Sequence, residues 1–313
     1  MYKIKIFTSV PKIIISSVFI FSGLFAEDFN NGSNEMADLH TLREKSFSIQ
    51  PGKNLNIETS FGDVMITTWD KSEVHIKILG NDKAKDKVEF YFNNNDNEIS
   101  VKAESEKNIF DWFSSGPQMR FEVKVPQNFN TKVSTSGGDI KVGDIKGNNY
   151  LRTSGGDITL KNTDGNLKVS TSGGDIKLYH TKGTMGVSTS GGDIRADEFY
   201  GNLDAETSGG DIYLNGSESS INAETSGGDI TLKYTGSNKG IELHTSGGDI
   251  NVSLPSDFNA AANLSSSGGD VSCDFKGNNA DKISESKFRA DINSGGNKLI
   301  AKTSGGSIRV RKN

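Results

Sequence analysis

The sequence predicts an all-β protein: a β-solenoid (β-helix) built from an 18-residue, two-strand repeat, with an N-terminal β cap. Three observations predict it. The phrase Thr-Ser-Gly-Gly-Asp-Ile recurs at 135–140, 153–158, 171–176, 189–194, 207–212, 225–230 and 245–250, and self-similarity at a fixed period near 20 residues marks a solenoid. After each aspartate the outer residues are aliphatic and the middle one is mostly polar, as in Ile158-Thr159-Leu160 and Ile176-Lys177-Leu178. That alternation is the period-2 signature of a strand with one buried face. Hydrophobic residues make up only 33% of 313 residues, low for one thick core and suited to a thin stacked one.

The elements follow in order. Residues 1–26 read as a secretory signal peptide: Lys3, Lys5 and Lys12 lead an apolar run from Ile13 to Phe25, and Ala26 stands before Glu27 and Asp28. The run is short for a transmembrane helix, and no cysteine near the cut offers a lipid anchor. Export to the periplasm, the outer surface or the medium is expected, with no membrane span left after cleavage. Loss of the three lysines would take the net charge from −5 to −8, and a mildly acidic chain without a basic run does not suit nucleic acid. Residues 27–45 form a polar linker.

Residues 46–130 form an N-terminal β region with two readings, atypical cap coils or a small separate β-domain. Thr59-Ser60-Phe61-Gly62-Asp63-Val64 is a degenerate repeat phrase within it. Its aromatic stretch, with Phe110, Trp112 and Phe113, reads either as a hydrophobic plug on the solenoid end or as an exposed contact loop.

Residues 131–313 hold the solenoid, roughly nine coils and about 45 Å of rod at the strand spacing of a sheet. The first glycines fall at 137, 155, 173, 191, 209 and 227, then at 247 and 268; Gly295 opens a degenerate copy and Gly305 the last. A second glycine (147, 165, 183, 201) marks the opposite turn, so each unit offers two short strands and two tight turns. The glycine pair is expected to supply positive φ, with Thr, Ser and Asp side chains bonding turn amides. Alternation with Val169 or Ala205 points the threonine column inward, away from any ice-binding role. A hexapeptide helix fails as a template, because the residues six and twelve after Ile158 are Asp164 and Ser170. A calcium-binding nonapeptide roll fails as well, because it needs two glycine-rich turns per 18 residues. Ser307–Arg311 is expected to leave an uncovered sheet edge.

The sharpest chemical feature is an acid ladder: Asp139, Asp157, Asp175, Asp193, Asp211, Asp229, Asp249 and Asp270. Carboxylates stacked about 5 Å apart repel by about 0.8 kcal/mol per neighbour in water and about 3 kcal/mol at an effective dielectric of 20. The column must therefore be wet, bonded to amides, or neutralised by bases such as Lys141, Lys177 and Arg195. It reads as a structural turn cap and, secondarily, as a weak cation candidate, since calcium takes oxygen donors. His40, His75, His180 and His244 lack metal-ligand spacing, and Cys273 occupies an inward strand position. No acid–base set, nucleophile elbow or phosphate loop stands out, so no catalytic residue, metal or cofactor is expected.

The Thr-Ser-Gly-Gly-Asp-Ile repeats, Val123-Lys124-Val125-Pro126, and the Thr-Ser-Phe-Gly-Asp-Val phrase followed by Trp69 resemble a bacterial family of uncharacterised exported repeat proteins described as "putative adhesins". The resemblance covers roughly residues 45–313. It implies a β-helical, non-enzymatic envelope or surface protein and carries over no active site. The expected function is binding of a macromolecule, glycan or protein, along a repetitive polar face. The alternative is a structural envelope scaffold or self-associating rod, with or without cation stabilisation.

Overall fold

The regular coils repeat the same six inward residues. In the coil that starts at Ile158 these are Ile158, Leu160, Thr163, Leu167, Val169 and Thr171, all buried. Eighteen residues later Ile176, Leu178, Thr181, Met185, Val187 and Thr189 take the same places. Each fully buried aliphatic side chain contributes about 2 kcal/mol through area removed from water, so a one-residue-thick ladder holds the stack. The computed structural model describes residues 39–105 and 117–313. The signal-peptide segment and the Phe110–Phe113 stretch lie outside the described residues.

The chain opens with β1 (His40–Ser48), β2 (Asn54–Thr59), β3 (Asp63–Trp69) and β4 (Glu73–Gly80). A short helix α1 (Asp82–Lys87) follows, capped by Asn81, whose Oδ1 accepts from the Ala84 amide. Next come β5 (Val88–Asn94), β6 (Glu98–Ser105), β7 (Met119–Pro126), β8 (Asn130–Ser134), β9 (Ile140–Gly143) and β10 (Asn149–Arg152). The long strands β11 (Ile158–Ser170), β12 (Ile176–Ser188), β13 (Ile194–Glu206) and β14 (Ile212–Thr225) each run round the turn opposite the glycine pair. The shorter β15 (Ile230–Thr235), β16 (Ile241–Thr245), β17 (Ile250–Leu254), β18 (Ala260–Ser266) and β19 (Val271–Cys273) follow. The final strands are β20 (Gly277–Ser284), β21 (Lys287–Ile292), β22 (Lys298–Thr303) and β23 (Ile308–Lys312).

Parallel pairing builds two faces. The first face runs β3, β9, β11, β12, β13, β14, β15, β17, β23, β19. The second runs β6, β2, β8, β10, then β11 to β14, then β16, β22, β18. Residues 54–69 therefore stack in register directly against the first regular coil.

The opposite turn is less simple than a tight reversal. Asp144, Asn162, His180, Glu198 and Glu218 take left-handed φ of 47–60°. An inward residue then follows (Ile145, Thr163, Thr181, Phe199), which the polar look of these turns conceals. Gly216 pairs between Phe199 and Tyr234, and a Cβ there would run into the Phe199 ring. Large, absent and large side chains thus alternate to fill that corner.

Both ends interleave. Coil order in space departs from chain order, because β22 inserts between β16 and β18, and β23 between β17 and β19. The uncovered edge expected at Ser307–Arg311 is thereby corrected: β23 is hydrogen-bonded on both sides. At the other end β2 lies between β6 and β8, and β3 between β7 and β9. Antiparallel strands close the stack beyond these coils. β4 lies on β7 and β1 on β4, β5 lies on β6, and β21 lies on β18 with β20 outside it. The outermost strand β1 carries Arg43, Glu44 and Lys45, charges that discourage further strand addition.

Candidate functional site: the glycine edge and the two outer faces

The repeat phrase pairs three successive amides of its own turn. In the coil around Gly155, the Gly155 amide donates to the Ser136 carbonyl (3.0 Å) and the Gly156 amide to Thr153 Oγ1 (3.3 Å). The Asp157 amide donates to Asp139 Oδ1 (2.9 Å). Thr153 Oγ1 in turn donates to the Gly138 carbonyl (2.9 Å). The threonine column is buried, as its alternation predicts. Buried amides left unpaired are costly, which gives Thr and Asp their places in the phrase.

The glycine pair serves a different need from the one expected. None of the pairs from 137–138 to 247–248 has φ between +20° and +160°; the positive values sit at the opposite glycines, 111–141° at Gly147, Gly165, Gly183 and Gly201. At the pair the requirement is closeness. A Cβ on Gly174 would overlap the Gly156 carbonyl, whereas one on Gly173 meets nothing nearer than 3.7 Å. From 137 to 228 only the second glycine of each pair is therefore sterically obligatory.

The acid ladder is real, and longer and differently ordered than the sequence suggests. It starts at Asp63, whose Oδ1 accepts from the Asp139 amide (3.0 Å). It continues rung by rung to Asp249 at 2.7–3.0 Å. Ser307 then takes the next place: its amide donates to Asp249 Oδ1 (2.7 Å), and its Oγ accepts from the Asp270 amide (3.3 Å). Asp270 is thus not a neighbour of Asp249. The degenerate copy at Gly295-Gly296 is a positive-φ turn outside the ladder. Burial pushes the Asp63 carboxyl up, against the Asp139 amide. The Ser307 amide, with Arg309, holds Asp249 down.

The first face answers its own charges. Lys177 Nζ reaches Oδ2 of both Asp175 (3.2 Å) and Asp157 (3.6 Å). Arg309 reaches Asp249 Oδ2 (2.8 Å), Tyr213 donates to Asp211 Oδ2 (2.9 Å), and Arg195 pairs with Asp197 rather than Asp193. Along this face the outward column reads Lys141, Thr159, Lys177, Arg195, Tyr213, Thr231, Asn251, Arg309.

The second face presents three outward columns. Asparagine dominates one: Asn166 donates to Asn148 Oδ1 (3.0 Å), and Asn130 donates to Asn54 Oδ1 (3.2 Å). The next reads Asn56, Lys132, Tyr150, Lys168, Gly186, Asp204, Asn222, Glu242, Ile300. The third reads Glu58, Ser134, Arg152, Ser170, Ser188, Glu206, Glu224, His244, Lys302. Among the described residues, Lys132, Arg152, Lys168, Glu206, Glu224, Glu242 and Lys302 form no ion pair. These columns were not singled out in the sequence; aligning the units and reading the outward residues of the second strand would have found them.

Other candidates stay apart. His75 pairs with Glu44 (3.3 Å), His180 with Glu198 (3.0 Å) and His40 with Asp82 (3.6 Å). Cys273 is half-buried against the core, and burial raises its thiol pKa. Among the described residues no three His, Cys, Asp or Glu side chains converge to hold a metal ion, and no helix is long and apolar enough to cross a membrane. Three open depressions of about 360–500 Å³ lie at the two ends of the stack.

Three solved structures resemble the chain weakly. A "putative adhesin" from Bacteroides fragilis is 12% identical, covering 88% of this chain and 98% of its own, with a TM-score of 0.39. A "putative lipid binding protein" from Parabacteroides distasonis is 9% identical, covering 89% and 98%, with a TM-score of 0.40. A "putative adhesin" from Parabacteroides merdae is 12% identical, covering 89% and 97%, with a TM-score of 0.39. No curated protein matches. The model of one family spans residues 52–311, nearly all of the stack just described. The chain with this interleaved, glycine-edged solenoid belongs to the Toastrack DUF4097 family.

Proposed function

We propose that this is a non-enzymatic module of the cell envelope or surface that binds a macromolecule, glycan or protein, along a repetitive polar face. The observation that carries the reading is the first-face column from Lys141 to Arg309. It offers a polar side chain at every coil, about 4.8 Å apart, on a scaffold held rigid by its amide ladder. Equivalent weak contacts along a rod add by avidity rather than through one tight pocket. The adhesin names of structural relatives agree with this reading but do not supply a ligand.

Protease shaving of intact cells tests it. Release of repeat peptides while a periplasmic control protein stays protected is the expected result. Full protection would sink the surface reading and leave a role inside the envelope. A glycan array probed with the full chain, alongside an Arg195→Glu variant, would then assign the face: binding that survives the substitution removes the first-face column. The scaffold reading is favoured by a separate observation, the uncompensated charges of the second face.

A further inference from the structure

The second face carries unpaired charge in a pattern with one symmetry. Its central strand is the Thr184–Ser188 part of β12, whose outward residues Thr184, Gly186 and Ser188 are small and uncharged. On one side lie Lys168, Arg152 and Lys132, and on the other Asp204, Glu206, Glu224 and Glu242. Consider a two-fold axis lying in the plane of the face, along the β12 strand. It reverses the order of coils and keeps position along each strand. Under that operation Lys168 meets Asp204, Arg152 meets Glu224, Lys132 meets Glu242, and Glu58 meets Lys302, each pair falling in the same column. No like charges meet in any of the three columns from β2 to β22. Among the remaining pairings, Tyr150 with Asn222, Asn56 with Ile300, Ser170 with Glu206, Ser134 with His244 and Asn54 with Lys298 each include at least one uncharged partner. The other in-plane axis, along the stack through the middle column, would set Lys132, Lys168, Asp204 and Glu242 each on its own copy.

We propose that this face is the interface of an antiparallel homodimer, the partner being a second copy of this chain. An isologous contact must be self-complementary, and here Lys132, Arg152, Lys168 and Lys302, which form no ion pair among the described residues, each find an acid in the other copy. The face from β2 to β22 measures about 40 Å by 16 Å from strand spacing and rise, so the pair would bury roughly 1,300 Å², within the range of specific interfaces. Tyr150, 53% exposed in the single chain, would be covered. The small residues on the axis let the two sheets approach. This arrangement goes beyond the binding reading above and leaves the first face and the glycine edge free.

Sedimentation velocity of the full chain at ionic strengths of about 0.02 M and about 0.5 M provides the first test. A dimer that weakens at the higher salt is expected. Arg152→Glu and Glu224→Arg should each weaken association at least about tenfold, whereas mixing the two single variants, or combining both in one chain, should restore it. A zero-length carbodiimide cross-link should join Lys132 to Glu242. Within one chain those residues are six strand steps apart, roughly 29 Å, so the link can form only between copies. A monomer at both ionic strengths, a dimer indifferent to Arg152→Glu, or failure of the mixture and the double variant to restore association overturns the proposal. Because either variant must also fold to associate in the mixture, misfolding of one is distinguished by the Lys168→Glu and Asp204→Lys pair, for which the same outcomes apply.

Discussion

On the first face of the coil several charged side chains are answered within the chain: Lys177 bridges two ladder carboxylates, Arg309 a third, and Arg195 pairs with Asp197. On the second face, across the opposite turn of the same coils, Lys132, Arg152, Lys168, Glu224 and Glu242 form no ion pair among the described residues. Both faces use one strand geometry and one repeat. Both border the glycine edge; the difference is that an acid recurs at the head of every first-face strand, whereas the second-face strand carries no charge at a fixed place. A repeat therefore fixes what holds the coil together and leaves one surface on which each unit can be written separately.

That contrast can be broken in several ways. The largest effect is expected at the edge itself. Gly174→Ala should destabilise by about 3 kcal/mol or more, because the new Cβ overlaps a backbone carbonyl that cannot rotate away. Gly173→Ala, with open space, should stay within about 1 kcal/mol in the same urea titration. Equal costs would mean that the turn, rather than the stacking distance, demands glycine. Next in size, Lys177→Glu should cost about 1 kcal/mol, since it replaces two ion pairs by two repulsions at a half-exposed site. Lys168→Glu should change the stability of the single chain by no more than about 0.5 kcal/mol. A comparable loss from both would erase the distinction between the faces.

The ends of the ladder should respond to pH with opposite sign. Asp249 is held below its ordinary value by the Ser307 amide and then Arg309. Its contribution is present above the unfolded carboxylate value and is lost as pH falls through the lowered one. Asp63 is pushed above its ordinary value by burial, so ionising it opposes folding, and stability falls as pH rises through that raised value. Unfolding free energy followed from pH 2 to pH 7 should show a shallower acid loss in Asp249→Asn. In Asp63→Asn it should show a steeper net gain with pH. The smallest effect concerns cations. Every ladder Oδ1 from Asp63 to Asp249 already accepts an amide, so adding a chelator should move Tm by less than about 1 °C, which differential scanning calorimetry would detect.

Much of this was legible beforehand for a physical reason. The 18-residue period, the inward Ile and Thr columns and the Asp cap are local features repeated many times, so one wrong unit cannot mislead. The less legible parts are those decided by contacts between distant segments. The place of Ser307 between Asp249 and Asp270 comes from insertion of β22 and β23 across more than forty residues of chain. The inward Phe199 is hidden because the preceding Glu198 takes a left-handed φ usually left to glycine or asparagine. The charge pattern of the second face exists only once the strands are in register, and a composition count averages it to nearly nothing.

The insertion of β22 and β23 has a consequence for how the protein is made. Until residues 298–312 emerge, the coils ending at β17 and β19 face each other across a gap one strand wide, each with a bare row of peptide groups. A product stopped before that segment would carry two further bare edges, and would be a ready target for proteases and a seed for aggregation. The stack thus proofreads its own synthesis: the wedge that locks it shut is made only after both of the coils it joins.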